Sequence, residues 1–109
     1  MPVTRETKHV SLKVINRHMT IDKLYKIIQN RKSKMPEGSY VSSLFKAGTG
    51  RIIQKVEEEA AEIIIAAKNE GKQRIISEAA DLWFHMLVMM TQFDIKPKDI
   101  LVELDKRRR

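Results

Sequence analysis

Apolar residues recur at spacings of three and four over most of this chain, and that period predicts helices. Thr20 is suited to capping a helix start. After it, Ile21, Leu24, Tyr25 and Ile28 fall on one face, so a first helix runs to about Lys34. Met35-Pro36-Glu37-Gly38 breaks it. Ser39 is placed to cap a short helix through Leu44 and Phe45, and Gly48-Thr49-Gly50 makes a second break. A long helix follows from Arg51 to about Asn69, carrying Ile52, Ile53, Val56, Ala60, Ile63, Ile64 and Ala67. Glu70-Gly71 ends it, and a second long helix runs from Lys72 to about Phe93. Between Ala79 and Met90 only Asp81 and His85 are not apolar. A helix apolar all round is expected to be buried on most sides. Pro97 suits the first turn of a last helix bearing Ile100, Leu101 and Leu104.

Few stretches alternate as strands do, repeats are absent and the connections are short, so the fold class is all-α, a helical bundle. Residues 1–19 lack a clear period and read as a basic N-terminal extension, with residues 20–109 as the folded domain. A chain of 109 residues suggests one domain with a modest core. Two long helices with very apolar faces are more than one small chain can easily cover. The expectation is a symmetric homodimer with a four-helix core, two long antiparallel helices from each chain.

Charge sharpens this picture. The net charge is +7, and residues 1–34 hold nine lysines and arginines against two acids. Basic surfaces attract polyanions: nucleic acid, anionic lipid or a nucleotide. Cysteine is absent, which excludes disulfides and cysteine-ligated metal and suits a reducing cytoplasm. No apolar run reaches the roughly 18 residues of a membrane span, and the N-terminus lacks the apolar core of a signal peptide. Residues 1–19, basic and poor in acids, leave a transit peptide open, and a cytoplasmic location without a membrane partner is the expectation.

Within this basic chain, Glu57, Glu58, Glu59 and Glu62 lie within six residues. Glu58-Glu59-Ala60-Ala61-Glu62 reads E-E-x-x-E, and Glu78-Ala79-Ala80-Asp81 reads E-x-x-D. Spacings of three and four place such side chains on one helix face. The short Asn69-Glu70-Gly71 turn makes the two helices antiparallel neighbours, so the two acidic faces can meet. The run from Glu57 to Glu62 alone reads equally well as a solvated face. Glu78 and Asp81 do not, because they sit on a mostly apolar helix where ionised carboxylates are costly without a partner. Some cation must compensate them: Lys or Arg from elsewhere, or a hard divalent ion such as magnesium, which takes carboxylate oxygens and keeps waters and phosphates as further ligands. Scarce His and absent Cys argue against zinc. His85, one turn beyond Asp81, reads first as a hydrogen-bonded core residue. Met86, Met89 and Met90 read as core packing, and Trp83 as core or interface.

At these residues the chain resembles a known family. Lys55-Val56-Glu57-Glu58-Glu59-Ala60-Ala61-Glu62, with Glu78-Ala79-Ala80-Asp81-Leu82-Trp83-Phe84-His85-Met86-Leu87-Val88, is similar to phosphoribosyl-ATP pyrophosphatases, all-α nucleotide pyrophosphohydrolases. Asn30-Arg31-Lys32, Pro36-Glu37-Gly38-Ser39-Tyr40 and the ending Leu101-Val102-Glu103-Leu104 extend the resemblance over about residues 20–108. Glu57 replaces a usual small residue, Phe84 a common Tyr and Val41 a common Thr; none removes a presumed ligand.

The resemblance implies hydrolysis of phosphoribosyl-ATP to phosphoribosyl-AMP and pyrophosphate, the second step of histidine biosynthesis. It implies magnesium on Glu59, Glu62, Glu78 and Asp81, with Glu58 as a further ligand or the group orienting the water. The metal would neutralise charge developing on the phosphate oxygens and acidify the attacking water, whose proton a free carboxylate could take. Lys55, Arg51 and Lys72 flank the acidic faces as phosphate partners, ahead of Arg31 and Lys32. The nearest rival is another pyrophosphohydrolase of this superfamily, acting on dUTP or damaged nucleotides. A basic helical nucleic-acid-binding module is a rival of another class, but it gives no reason for carboxylates in a buried helix.

Overall fold

The computed structural model describes residues 18–108, which form five helices and no strands. The expected extension at residues 1–19 lies almost wholly outside the described residues.

Helix α1 (Ile21–Lys34) begins where the Thr20 side chain accepts a hydrogen bond from the Lys23 N–H at 3.1 Å. Asp22 in its first turn and Arg31, Lys32 and Lys34 in its last complement the helix dipole. Helix α2 (Tyr40–Ala47) is capped in the same way by Ser39, whose Oγ accepts from the Ser42 N–H at 3.2 Å.

The two long helices follow, and the first starts earlier than its pattern suggests. Helix α3 (Thr49–Asn69) takes in Thr49 and Gly50, so the second break shrinks to Gly48 alone, at φ +102°. A single residue with that backbone is enough to redirect the chain, and Gln92 Nε2 donates to Thr49 Oγ1 at 2.8 Å, anchoring the new start. Gly71, at φ +83°, turns α3 into α4 (Lys72–Gln92). Pro97 opens α5 (Pro97–Lys106), where the Asp99 carboxylate accepts from the Lys96 N–H at 2.8 Å.

The core is built from Tyr25 and Ile28 of α1, Val41 and Leu44 of α2, Ile52 of α3, and Phe84, Leu87, Val88 and Met90 of α4. The Tyr25 hydroxyl donates to the Ile95 carbonyl at 2.6 Å and ties α1 to the turn before α5. All of these lie toward one end of the long hairpin. Between Glu59 and Glu78, Ala66 is the only buried residue, so the outer half of the hairpin packs mainly on itself.

Helix α4 departs from the expectation of burial on most sides. Trp83 is 60% exposed and Met86 is exposed too, so neither is core in this chain, whereas Met90 is buried and Met89 packs against the core. Helix α4 lies against α3 on one side and α1 on another, and among the described residues no further helix closes its last face. That face forms a groove of about 370 Å³, with Trp83, Met86, Ile21, Ile100 and Leu101 among its walls. Helix α5 buries none of its residues.

Candidate active site

The Gly71 turn sets α3 and α4 side by side and antiparallel, which brings Glu59 across from Glu78 and Asp81. All three are at most 8% exposed, and one oxygen of each lies within 4.8 Å of the others. Each glutamate has one oxygen answered by a cation from its own helix. Lys55 Nζ lies 3.2 Å from Glu59 Oε2, and Arg74 Nη2 lies 2.5 Å from Glu78 Oε2. The other oxygens, Glu59 Oε1 and Glu78 Oε1, are buried with no hydrogen-bond partner. Buried polar atoms are nearly always satisfied, and a bare carboxylate oxygen is among the costliest exceptions.

Acidity follows this crowding. Burial, then the Glu62 carboxyl and its charge, push Glu78 above the usual carboxylate range, and Arg74 only partly opposes them. Glu62 is exposed and lies outside the tight group of three, but its carboxyl sits against Glu59 and Glu78. Contact with Glu59, then burial and the Glu59 charge, push it up as well. Burial alone would lower Lys55, yet Tyr40, Glu59 and Glu58 outweigh it and hold the ammonium above its ordinary value.

Both long helices place charge on the rim. Lys55 Nζ also reaches Glu58 Oε1 at 3.3 Å, and Arg51 Nη1 reaches Glu58 Oε2 at 3.5 Å. Glu58 is therefore gripped by two cations beside the buried group. His85 lies directly beneath. Its Nδ1 is 2.8 Å from the Asp81 carbonyl and its Nε2 is 2.9 Å from the Tyr40 hydroxyl. A carbonyl only accepts, so Nδ1 carries the hydrogen and Tyr40 donates to Nε2. Burial pushes His85 below its ordinary value and so favours this neutral form, against the pull of the Asp81 carbonyl, which favours the charged one. Both ring nitrogens are engaged, which leaves the cluster a set of oxygens. Oxygen ligands suit hard cations such as magnesium, calcium or manganese.

The family model for phosphoribosyl-ATP pyrophosphohydrolase matches residues 21–108, a stretch that includes every helix described above. This chain belongs to that family. A phosphoribosyl-ATP pyrophosphatase of Clostridium botulinum is 49% identical over 94 residues, covering 86% of this chain and 86% of the relative. One from Pelotomaculum thermopropionicum is 46% identical over 85 residues, covering 78% and 87%. One from Methylibium petroleiphilum is 44% identical over 88 residues, covering 81% and 73%. Membership makes the chain a pyrophosphohydrolase, a hydrolase of phosphoric anhydrides, and sets aside the nucleic-acid-binding module.

Seen in this pyrophosphohydrolase, the residues expected from sequence divide. Glu59, Glu78 and Asp81 converge, Glu62 adjoins them, and Glu58 stands at the edge. Lys55 is buried inside the carboxylate group, whereas Arg51 is open to solvent. Lys72 is exposed at the first position of α4, and the cation that reaches Glu78 is Arg74. Lys32 lies elsewhere, with Nζ 3.4 Å from the Thr91 carbonyl and over the Phe45 ring. Arg74 and Tyr40 were not singled out by sequence. The signal for Arg74 was present, since Lys55-x-x-x-Glu59 and Arg74-x-x-x-Glu78 repeat one spacing.

Proposed function

We propose that this chain hydrolyses phosphoribosyl-ATP between its α and β phosphates, releasing pyrophosphate and leaving phosphoribosyl-AMP, the second step of histidine biosynthesis. The observation that carries the reading is the pair of bare buried oxygens, Glu59 Oε1 and Glu78 Oε1, beside Asp81. Three converging carboxylates with two unanswered oxygens fit a divalent ion, and an all-oxygen donor set fits magnesium. Glu59, Glu78 and Asp81 would hold it, with Glu62 completing the set from the solvent edge. Bound there, magnesium supplies charge neutralisation at the phosphate oxygens.

The chain's own groups supply the rest. Glu58, gripped by Lys55 and Arg51, orients the attacking water and takes its proton. Lys55 keeps Glu59 and Glu58 in register, and Arg51 and Lys72 offer positive charge to the phosphate chain from the exposed side. His85, held by Tyr40, fixes the backbone at Asp81.

The active species is a cytoplasmic homodimer, in which a second copy covers the open face of α4 and the two hairpins form a four-helix core. Exposed Trp83, Met86, Ile100 and Leu101 support this, because soluble monomers rarely expose large contiguous apolar patches. Among the described residues no helix is long and apolar enough to cross a membrane.

Purified protein with magnesium should release pyrophosphate from phosphoribosyl-ATP, and EDTA should stop it. Inactivity on phosphoribosyl-ATP together with turnover of dUTP would overturn the substrate assignment.

A further inference from the structure

Two cations enter the carboxylate cluster, and the fold holds them differently. Lys55 lies four residues before Glu59 on α3, and Arg74 four residues before Glu78 on α4. Each pairs with Oε2 of its glutamate and leaves Oε1 bare. The likeness ends at exposure. The Lys55 side chain is 11% exposed and is held by Glu58 as well as Glu59. The Arg74 side chain is 55% exposed and stands in the first turn of α4. Its second partner is Glu70, a partly exposed carboxylate at the hairpin turn, 3.5 Å away. A buried ammonium gripped by two carboxylates is held in place. A half-exposed guanidinium at the rim of the cluster has solvent, and anything bound from solvent, within a rotation of its side chain.

We infer that Arg74 is a substrate-binding residue that exchanges partners: it holds Glu78 in the metal-free protein and moves to the phosphate chain once a divalent ion takes Glu78. The inference rests on the metal-site reading proposed above. A dication on the Glu78 carboxylate satisfies that charge and repels a guanidinium bound to the same group. The displaced guanidinium already lies beside the oxygen that the ion would use, so metal-bound phosphates fall within its reach. Its planar fork of donors matches phosphate oxygens in pairs, which an ammonium does not. Lys55 stays behind as the fixed counter-charge of Glu59. The exchange links the two events, because substrate gains its arginine only after the metal has released it.

The test uses Mn²⁺ as the metal probe and pyrophosphate as the ligand probe, both by calorimetry on the full chain. Arg74→Gln should bind Mn²⁺ at least as tightly as wild type, because no guanidinium has to leave. Pyrophosphate binding to the Mn²⁺-loaded variant should weaken by about ten-fold or more, the loss of a charge-assisted contact. KM for phosphoribosyl-ATP should rise in parallel while kcat changes much less, and Arg74→Lys should recover part of both losses. An Arg74→Gln variant that loses Mn²⁺ affinity but keeps wild-type pyrophosphate binding would overturn the exchange, making Arg74 a fixed brace for Glu78. A wild type that binds no Mn²⁺ would overturn the metal site, and the exchange with it.

Discussion

Glu78 is held by the Arg74 guanidinium and opposed by burial and by the Glu62 carboxyl beside it. Its ionised form is disfavoured by burial and by Glu62, so its folded-state pKa is raised. A raised value means the folded chain keeps that proton to higher pH than the unfolded chain does. The stability this contributes is fully present below the unfolded value and is lost as pH rises through the folded one. Glu78→Gln removes the titration and keeps the shape. Metal-free Glu78→Gln should therefore melt no earlier than wild type at neutral pH, and any advantage should shrink as pH falls toward the ordinary carboxylate range. Hydrolysis should drop by orders of magnitude, because the metal that stabilises the transition state loses a ligand. Magnesium should raise the wild-type melting temperature by binding the folded state, and raise the variant's less. A structural ion pair predicts the reverse, since breaking a buried pair costs about 3–5 kcal/mol. A metal-free variant that melts far earlier, yet responds to magnesium as wild type does, would assign Glu78 to the fold rather than to the site.

At the scale of elements, the α3–α4 hairpin decides where the carboxylates meet. Its turn depends on Gly71, at φ +83° and ψ 174°, a region that L side chains avoid. A Cβ added there would touch nothing within 4 Å, so substitution costs backbone strain rather than a clash. Gly71→Ala should lose about 1–3 kcal/mol of stability, read as a lower denaturation midpoint at unchanged slope. No loss would mean that the turn readily takes another conformation. The outer half of the hairpin, where Ala66 alone is buried, has little other packing to resist such a change.

Over the whole molecule, the unfinished surface of α4 and α5 is the dominant feature. Trp83, Leu101 and Ile100 stand exposed around the groove, and α5 contributes no buried residue to its own chain. Light scattering should find a dimer. Trp83→Glu places a charge in the proposed interface and should shift the protein toward monomer and lower its melting temperature. Trp83 lies outside the carboxylate cluster, so any loss of activity should follow loss of the dimer. A stable, active, monomeric wild type would refute this assembly.

Local chemistry was legible in the sequence, and choices of partner were not. Thr20 and Ser39 announced α1 and α2 because a cap bonds its own neighbours, and Pro97 announced α5 for the same local reason. The acidic faces of α3 and α4 could be placed from a spacing of three and four residues and one short turn. Their burial could be expected because Glu78 and Asp81 interrupt an apolar helix. The start of α3 escaped this reading, since Thr49 is held by Gln92, 43 residues away. Periodicity likewise placed Met86 in the core, because it reports that a face is apolar but not what packs against it. The tautomer of His85 needed Tyr40, brought in by another helix. Two spacings of four residues put Lys55 and Arg74 in equivalent places along their helices, and only tertiary packing buried one and left the other at the rim.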